Sequence, residues 1–392
     1  MRRYRWGVAD RLLSVEDSRR GETRYSYTPT GQLERAEYPD GRERWRKSDQ
    51  TGNLYPDPDM KLRRYLGGGR LEQDGEWHCE YDADGNLTER YLGTGRWLDG
   101  KKDRWRYRWN ADGSLAKVIR PDKREVEFTY DALGRRLSKS FGTTVTRWIW
   151  NGNVPLHQWK RHREYSVVED RWNTDTERRD MTVWLFDEDS FVPVAMIKEG
   201  RSYSILTDQL GTPTEAYDTE GNEVWSRVLD MDGNVIEETG NKGMVPFLFQ
   251  GQYYDRETGL AYNRFRYYSP KMGMYVSQDP IGLAGGILNL YGYVEDTNAW
   301  IDSFGLSKSG YKENKNADKG KDNEQKVRSP YPIAKRKYYP SRKKAYEAAK
   351  KAGNGVEPVL HYNTSNQPPH FHPGDGNNKP LNHDHYNFPK GR

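Results

Sequence analysis

Tyr81-Asp82-Ala83-Asp84-Gly85-Asn86-Leu87 is the stretch on which the fold turns, because the chain repeats it. Tyr27-Thr-Pro-Thr-Gly31-Gln-Leu33 echoes it, as do Trp109-Asn-Ala-Asp-Gly113-Ser-Leu115 and Tyr130-Asp-Ala-Leu-Gly134-Arg-Arg-Leu137. Tyr217-Asp-Thr-Glu-Gly221 repeats the start, and Asp49-Gln-Thr-Gly52-Asn-Leu54 is a copy without the leading aromatic. An aromatic stands four residues before the glycine, and in the fuller copies a leucine follows two or three beyond it. That order predicts a strand, a tight turn with glycine at positive φ, and a returning strand. Copies in one register are hard to obtain by chance, even where aromatics, Asp and Gly are abundant. Their uneven spacing argues against a strict-period solenoid. An extended antiparallel sheet of stacked hairpins is expected.

The composition agrees. The 392 residues suffice for about two to four domains. Mean hydropathy is −1.11, very low for a globular protein, yet 13% of residues are aromatic, with 13 Trp and 28 Tyr. Disordered chains are poor in aromatics, so the combination predicts short strands with one polar face and aromatic ladders on the other. No uncharged apolar run reaches the roughly 18 residues of a membrane span; Phe191 to Ile197 is among the longest. Met1-Arg2-Arg3-Tyr4-Arg5-Trp6 has no apolar stretch behind its charges, so no signal peptide is expected. A single cysteine, Cys79, excludes an intrachain disulfide framework and a zinc site of several thiolates.

Charge divides the chain after Leu306. Residues 1–306 hold 45 basic and 50 acidic side chains, whereas 307–392 hold 18 and 8. Every Trp precedes the division, and five of the eight His follow it: His361, His370, His372, His383 and His385. Ser307 to about Pro330, rich in Lys, Asn, Asp, Gly and Ser, reads as a linker.

The aromatic-Asp-x-x-Gly-x-Leu units resemble the tyrosine-aspartate (YD) repeats of Rhs proteins, a class of bacterial polymorphic toxins. Asp208-Gln-Leu-Gly211-Thr-Pro213 resembles the segment before that family's core. Phe249-Gln-Gly-Gln-Tyr-Tyr254-Asp-Arg-Glu-Thr-Gly259-Leu-Ala-Tyr262-Asn-Arg-Phe-Arg-Tyr267-Tyr-Ser-Pro270 resembles the core signature, with Asp279-Pro-Ile-Gly282-Leu and Asn289-Leu-Tyr291-Gly-Tyr293 continuing it. The resemblance covers residues from about 20 to 306. It implies a mainly β protein: YD-repeat hairpin sheet over 1–245, Rhs-associated core over 246–306, linker over 307–330 and a small α+β toxin tip over 331–392. Rhs shells are far longer than this segment, so a partial shell is expected, with delivery through an N-terminal part this sequence lacks. The resemblance also implies interbacterial competition, export by a dedicated route such as type VI secretion, action in the target-cell cytoplasm and a cognate immunity protein.

In that family the core cuts itself after a leucine. Asn298-Ala299-Trp-Ile-Asp302-Ser303-Phe304-Gly305-Leu306 is the matching motif, placing the cut at Leu306–Ser307, where the charge balance also breaks. Asp279 and Asp302 occupy the carboxylate positions, although Ala299 and Ser303 stand where the family has prolines, and Asp296 is a nearby competitor. Two carboxylates sharing a site do not ionise together easily, so one stays protonated while the other activates water.

In the tip, Ser341 suits an N-cap and Gly353 a helix stop, with Ala345, Ala348, Ala349 and Ala352 on one face. Arg342, Lys343 and Lys344 crowd the first turn, where the helix dipole disfavours cations, which points to nucleic-acid phosphate. His370-Phe-His372 and His383-Asp-His385 each place two imidazoles on one face of a strand. Imidazoles bind transition metals and pass protons near neutral pH, so these four are the candidate site of a nuclease acting on DNA or RNA, with or without a divalent metal. His361 lies on an earlier predicted strand. Two rival readings are a surface- or carbohydrate-binding repeat protein and a tip of other chemistry such as ADP-ribosyl transfer, for which the tail lacks an evident residue set.

Overall fold

The computed structural model describes residues 2–93, 102–306, 309–310, 336–338, 346–347, 350–351, 359–361, 370–372 and 385–387. It divides into two compact units, Met1–Glu313 and Asn314–Arg392. Among the described residues no helix is long and apolar enough to cross a membrane.

The first unit is built from antiparallel strands. A five-stranded sheet runs from Arg2–Trp6 to Glu43–Trp45. From Arg63–Leu66 to Val235–Gly240, successive hairpins then form one large sheet that curls into a barrel. The long strand Val154–Ser166 departs from simple succession: its base pairs with Arg179–Phe186, while its far end pairs with Arg171–Thr174. Inside lies a four-stranded sheet, Tyr253–Asp255, Leu260–Asn263, Arg266–Ser269 and Met274–Tyr275, followed by the loops that lead to Leu306.

Each repeat is a turn with its own local chemistry. The Gly85 N–H donates to the Asp82 carbonyl at 3.1 Å with φ +80°, and Gly31, Gly113, Gly134 and Gly221 close the same bond at φ between +75° and +91°. The aspartate before the turn explains itself: Asp131 Oδ1 accepts the Leu133 and Arg135 N–H groups at 2.9 and 2.8 Å, and Asp218 Oδ1 those of Glu220 and Asn222 at 3.0 and 2.8 Å. A carboxylate there satisfies the backbone donors that a reversing chain exposes. The leucine beyond the glycine is the cross-strand partner of the aromatic, at a shift in register: Tyr27 with Leu33, Tyr81 with Leu87, Trp109 with Leu115. All three leucines are buried. In the Tyr130 unit that partner is Arg136, and in the Tyr217 unit Glu223.

Alternation explains the low hydropathy. On Glu125–Tyr130, Val126 and Phe128 face inward while Glu125 and Glu127 face outward, where Lys117 reaches them at 2.6 and 3.1 Å. Such exposed pairs contribute only about 0–1 kcal/mol each. The fold rests instead on the inner face. Leu71, Leu87, Leu115, Val118, Val126, Trp148, Trp184 and Trp225 pack there against core residues including Tyr253, Tyr262, Tyr267 and Tyr291. Leu87→Ala should therefore lower unfolding free energy by about 2–5 kcal/mol in urea titration. A change within ~0.5 kcal/mol would mean that the hairpin leucine is not part of a shared core.

The described strands of the second unit form a four-stranded sheet in the order Arg336–Tyr338, His385–Asn387, His370–His372, Val359–His361. The first pair is parallel and the others antiparallel. Tyr346, Glu347, Lys350 and Lys351 are helical.

Candidate functional site

The candidate self-cleavage site is assembled from three loops of the core. Asp279 opens a turn: its backbone carbonyl accepts the Gly282 N–H at 2.9 Å, and its Oδ1 accepts the Ile281 N–H at 3.0 Å. Pro280 holds the φ such a turn needs. Asp302 opens a second reversal, in which its Oδ1 accepts the Leu306 N–H at 3.0 Å. The third piece is the Asn263–Arg266 segment, which grips that reversal. Asn263 Nδ2 donates to the Asp302 carbonyl at 2.8 Å and Arg266 Nε to the Gly305 carbonyl at 2.5 Å. Gly305 sits at φ +69°, and a Cβ there would lie 2.6 Å from the Asn263 carbonyl oxygen, so glycine is required.

One guanidinium nitrogen joins the two carboxylates. Arg266 Nη2 lies 2.9 Å from Asp279 Oδ2 and 3.4 Å from Asp302 Oδ2, and all three side chains are almost fully buried. Tyr275 donates its hydroxyl to Asp302 Oδ2 at 2.8 Å and lies under the Arg266 guanidinium at 3.7 Å. Burial and the adjacent Asp302 push the Tyr275 phenol well up, which keeps it a donor. Burial also pushes the Asp279 carboxyl up. Arg266 and the Ile281 N–H oppose that shift, and the negative Asp302 adds to it.

The bond expected to break lies beside this pair. A Cβ placed on Gly285 would meet Asp279 Oδ2 and the Leu306 carbonyl oxygen, each at 2.6 Å. The carboxyl of Asp279 and the carbonyl of Leu306 are therefore neighbours across a space that only glycine leaves open. Asp296 does not share it. Its Oδ1 accepts the Asn298 N–H at 2.9 Å within its own turn, and the cations acting on it are Arg46 and Arg11.

Asp279, Asp302 and Leu306 are thus brought together, while Ser307 lies outside the described residues. Arg266, Tyr275, Asn263 and Gly285 were not singled out from the sequence; the first three lie in or beside the quoted core signature but carry no local mark of their role. Beyond Leu306, Ser309–Gly310 pairs with Trp300–Ile301. In the tip, His370 and His372 lie on one strand and His385 on its antiparallel neighbour, and His361 stands directly opposite His370. His383, Arg342, Lys343 and Lys344 lie outside the described residues.

A family model described as Teneurin YD-shell matches residues 7–293. Double-stranded DNA deaminase toxin A of Burkholderia cenocepacia is 32% identical over 332 residues, covering 79% of this chain and 22% of that protein. Toxin protein Tse5 of Pseudomonas aeruginosa is 29% identical over 374 residues, covering 74% of this chain and 26% of that protein. The chain thus spans about a quarter or less of the length of these curated relatives. Among solved structures, a TcdB2-TccC3-TEV crystal structure aligns with TM-score 0.46 at 16% identity, over 78% of this chain and 18% of that one.

Proposed function

Because the chain belongs to the Rhs/YD-repeat polymorphic toxin family, we propose that its core cuts itself between Leu306 and Ser307 and separates a basic tip that cuts nucleic acid. The observation that carries the first half is the neighbourhood of Asp279, Asp302 and the Leu306 carbonyl around Arg266. The ten net positive charges and the histidines of 307–392 support the second. Delivery by a dedicated secretion system, a bacterial target-cell cytoplasm and a cognate immunity protein belong to the same reading. One of these relatives is named a deaminase and not a nuclease, so likeness in the core does not choose the tip's chemistry.

The division of labour at the cut follows from the environments. Asp302 accepts from three donors, Tyr275 Oη, Arg266 and the Leu306 N–H, which hold its carboxyl group in place beside the scissile carbonyl. It takes a proton from a water, and the oxygen of that water bonds to the Leu306 carbonyl carbon. Asp279, whose carboxyl burial pushes up, acts as the acid and gives its proton to the carbonyl oxygen. On collapse, that oxygen returns its proton to Asp279, Asp302 passes the other to the Ser307 nitrogen, and the C–N bond breaks.

A pH dependence follows. The Asp279 carboxyl is raised, so its proton persists further toward neutrality than an ordinary aspartic acid's and is lost as pH rises through that raised value. Cleavage of freshly purified protein should therefore slow as pH rises through that value, in quenched time courses read on gels. A rate that climbs steadily with pH would remove Asp279 as the acid. The reading as a whole is tested by incubating the purified chain and sequencing the N-terminus of its fragment, then adding plasmid DNA and total RNA. A fragment beginning at Ser307 with degradation of one nucleic acid is expected. Intact chain and intact nucleic acid after long incubation would refute both halves.

A further inference from the structure

The tip sheet brings together histidines that are distant in sequence. His361 stands opposite His370, and on the other side of the same strand His370 stands opposite Asn387 and Phe371 opposite Tyr386. Continuing that antiparallel register by one residue sets His372 opposite His385. Residues directly opposite on antiparallel strands lie on one face, as do residues two apart on a strand. His361, His370, His372, His385 and Asn387 therefore share a face, and Arg336, in register with His385, joins them.

We propose that this face is the cutting site of the tip, that His361 belongs to it, and that its substrate is RNA cleaved through the 2′-hydroxyl. The inference rests on the reading of the tip as a nuclease. By register the face carries two cross-strand couples, His361–His370 and, one residue further, His372–His385. The segments Val359–His361, His370–His372 and His385–Asn387 contain no carboxylate. A set of imidazoles suits acid–base chemistry near neutral pH, where one ring is neutral and accepts while another is protonated and donates. One imidazole takes the proton of the 2′-hydroxyl, and the 2′-oxygen bonds to phosphorus. The bond from phosphorus to the 5′-oxygen breaks, and that oxygen takes its proton from a second imidazole. The products are a 2′,3′-cyclic phosphate and a 5′-hydroxyl, with no water consumed. DNA, without the 2′-hydroxyl, has no such route. Arg336, in register with His385, adds a basic residue to that face.

The test uses the purified full chain with RNA and DNA oligonucleotides of one sequence. Expected are RNA cleavage that leaves cyclic-phosphate ends, persistence in chelator, and a bell-shaped pH profile. His361→Ala should slow cleavage by about 10²–10⁴-fold, and added imidazole should restore part of the rate. A His361→Ala variant that keeps the wild-type circular-dichroism spectrum and is not rescued overturns the place given to His361, as does an unchanged rate. Cleavage of DNA, 5′-phosphate ends or loss of activity in chelator overturns the RNA assignment and leaves the nuclease reading standing. Failure of the wild-type chain to cut either nucleic acid removes that reading itself, and this inference with it.

Discussion

Asp279→Asn is expected to leave the chain whole where the wild-type protein yields a fragment beginning at Ser307. The amide has nearly the shape of the acid and can still accept the Ile281 N–H that holds the turn, now at 3.0 Å. What it lacks is the proton for the Leu306 carbonyl, which shares with Asp279 Oδ2 the small space over Gly285. Loss of a general acid lowers rate by about 10²–10⁴-fold, so cutting that goes to completion in the wild type should leave mostly intact chain over the same period. Gly285→Ala offers a second route to the same result, because its Cβ would fall 2.6 Å from both oxygens and must push them apart. Asp296→Asn, acting in a separate turn, should cut at the wild-type rate. Mass spectrometry of the intact chain reads all three. Normal cutting by Asp279→Asn would defeat the assignment, and loss of cutting on changing Asp296 alone would move the acid there.

The features legible in the sequence are those written locally. A YD turn needs a polar residue to open it (Thr28, Asp82 or Asn110), a glycine at positive φ and an aromatic–leucine pair within seven residues, and each belongs to one hairpin. The copies at Gly31, Gly85 and Gly113 could therefore be read one at a time. The turns at Gly41 and Gly233 close the same bonds, to Tyr38 and Asp230, but their flanking residues depart from the pattern. Asp279 and Asp302 were legible by family resemblance and, to a lesser degree, as turn openers. Arg266 was not, because its partners lie in two other loops and nothing beside it in the chain distinguishes it from 62 other basic residues. His361 shows the same limit: its place opposite His370 depends on how the intervening chain sets the register, which spacing alone does not fix.

Arg136 carries the other large effect, and its partner exposes it. It occupies the slot that Leu33, Leu87 and Leu115 fill in their own units, so here the sheet sets a guanidinium against the core in place of a side chain that needs no partner. Nη1 meets Asp255 Oδ2 at 2.5 Å, 119 residues away, and the other carboxylate oxygen meets Lys139 Nζ at 3.0 Å. The rings of Trp148, Tyr262 and Tyr253 surround the guanidinium at 4.5, 4.7 and 5.0 Å. Asp255 is completely buried, so water cannot replace it. Asp255→Ala should accordingly lower unfolding free energy by about 3–5 kcal/mol, because it strands one buried cation and weakens the hold on a second. Glu125→Ala, which removes an exposed partner of Lys117, should lower it by less than about 1 kcal/mol. Arg136→Leu combined with Asp255→Ala should recover part of the loss, since the double change removes the stranded guanidinium and restores the residue type of the other units. Urea midpoints of the four proteins decide the matter: if Asp255→Ala falls no further than Glu125→Ala, the buried pair does not pin sheet to core.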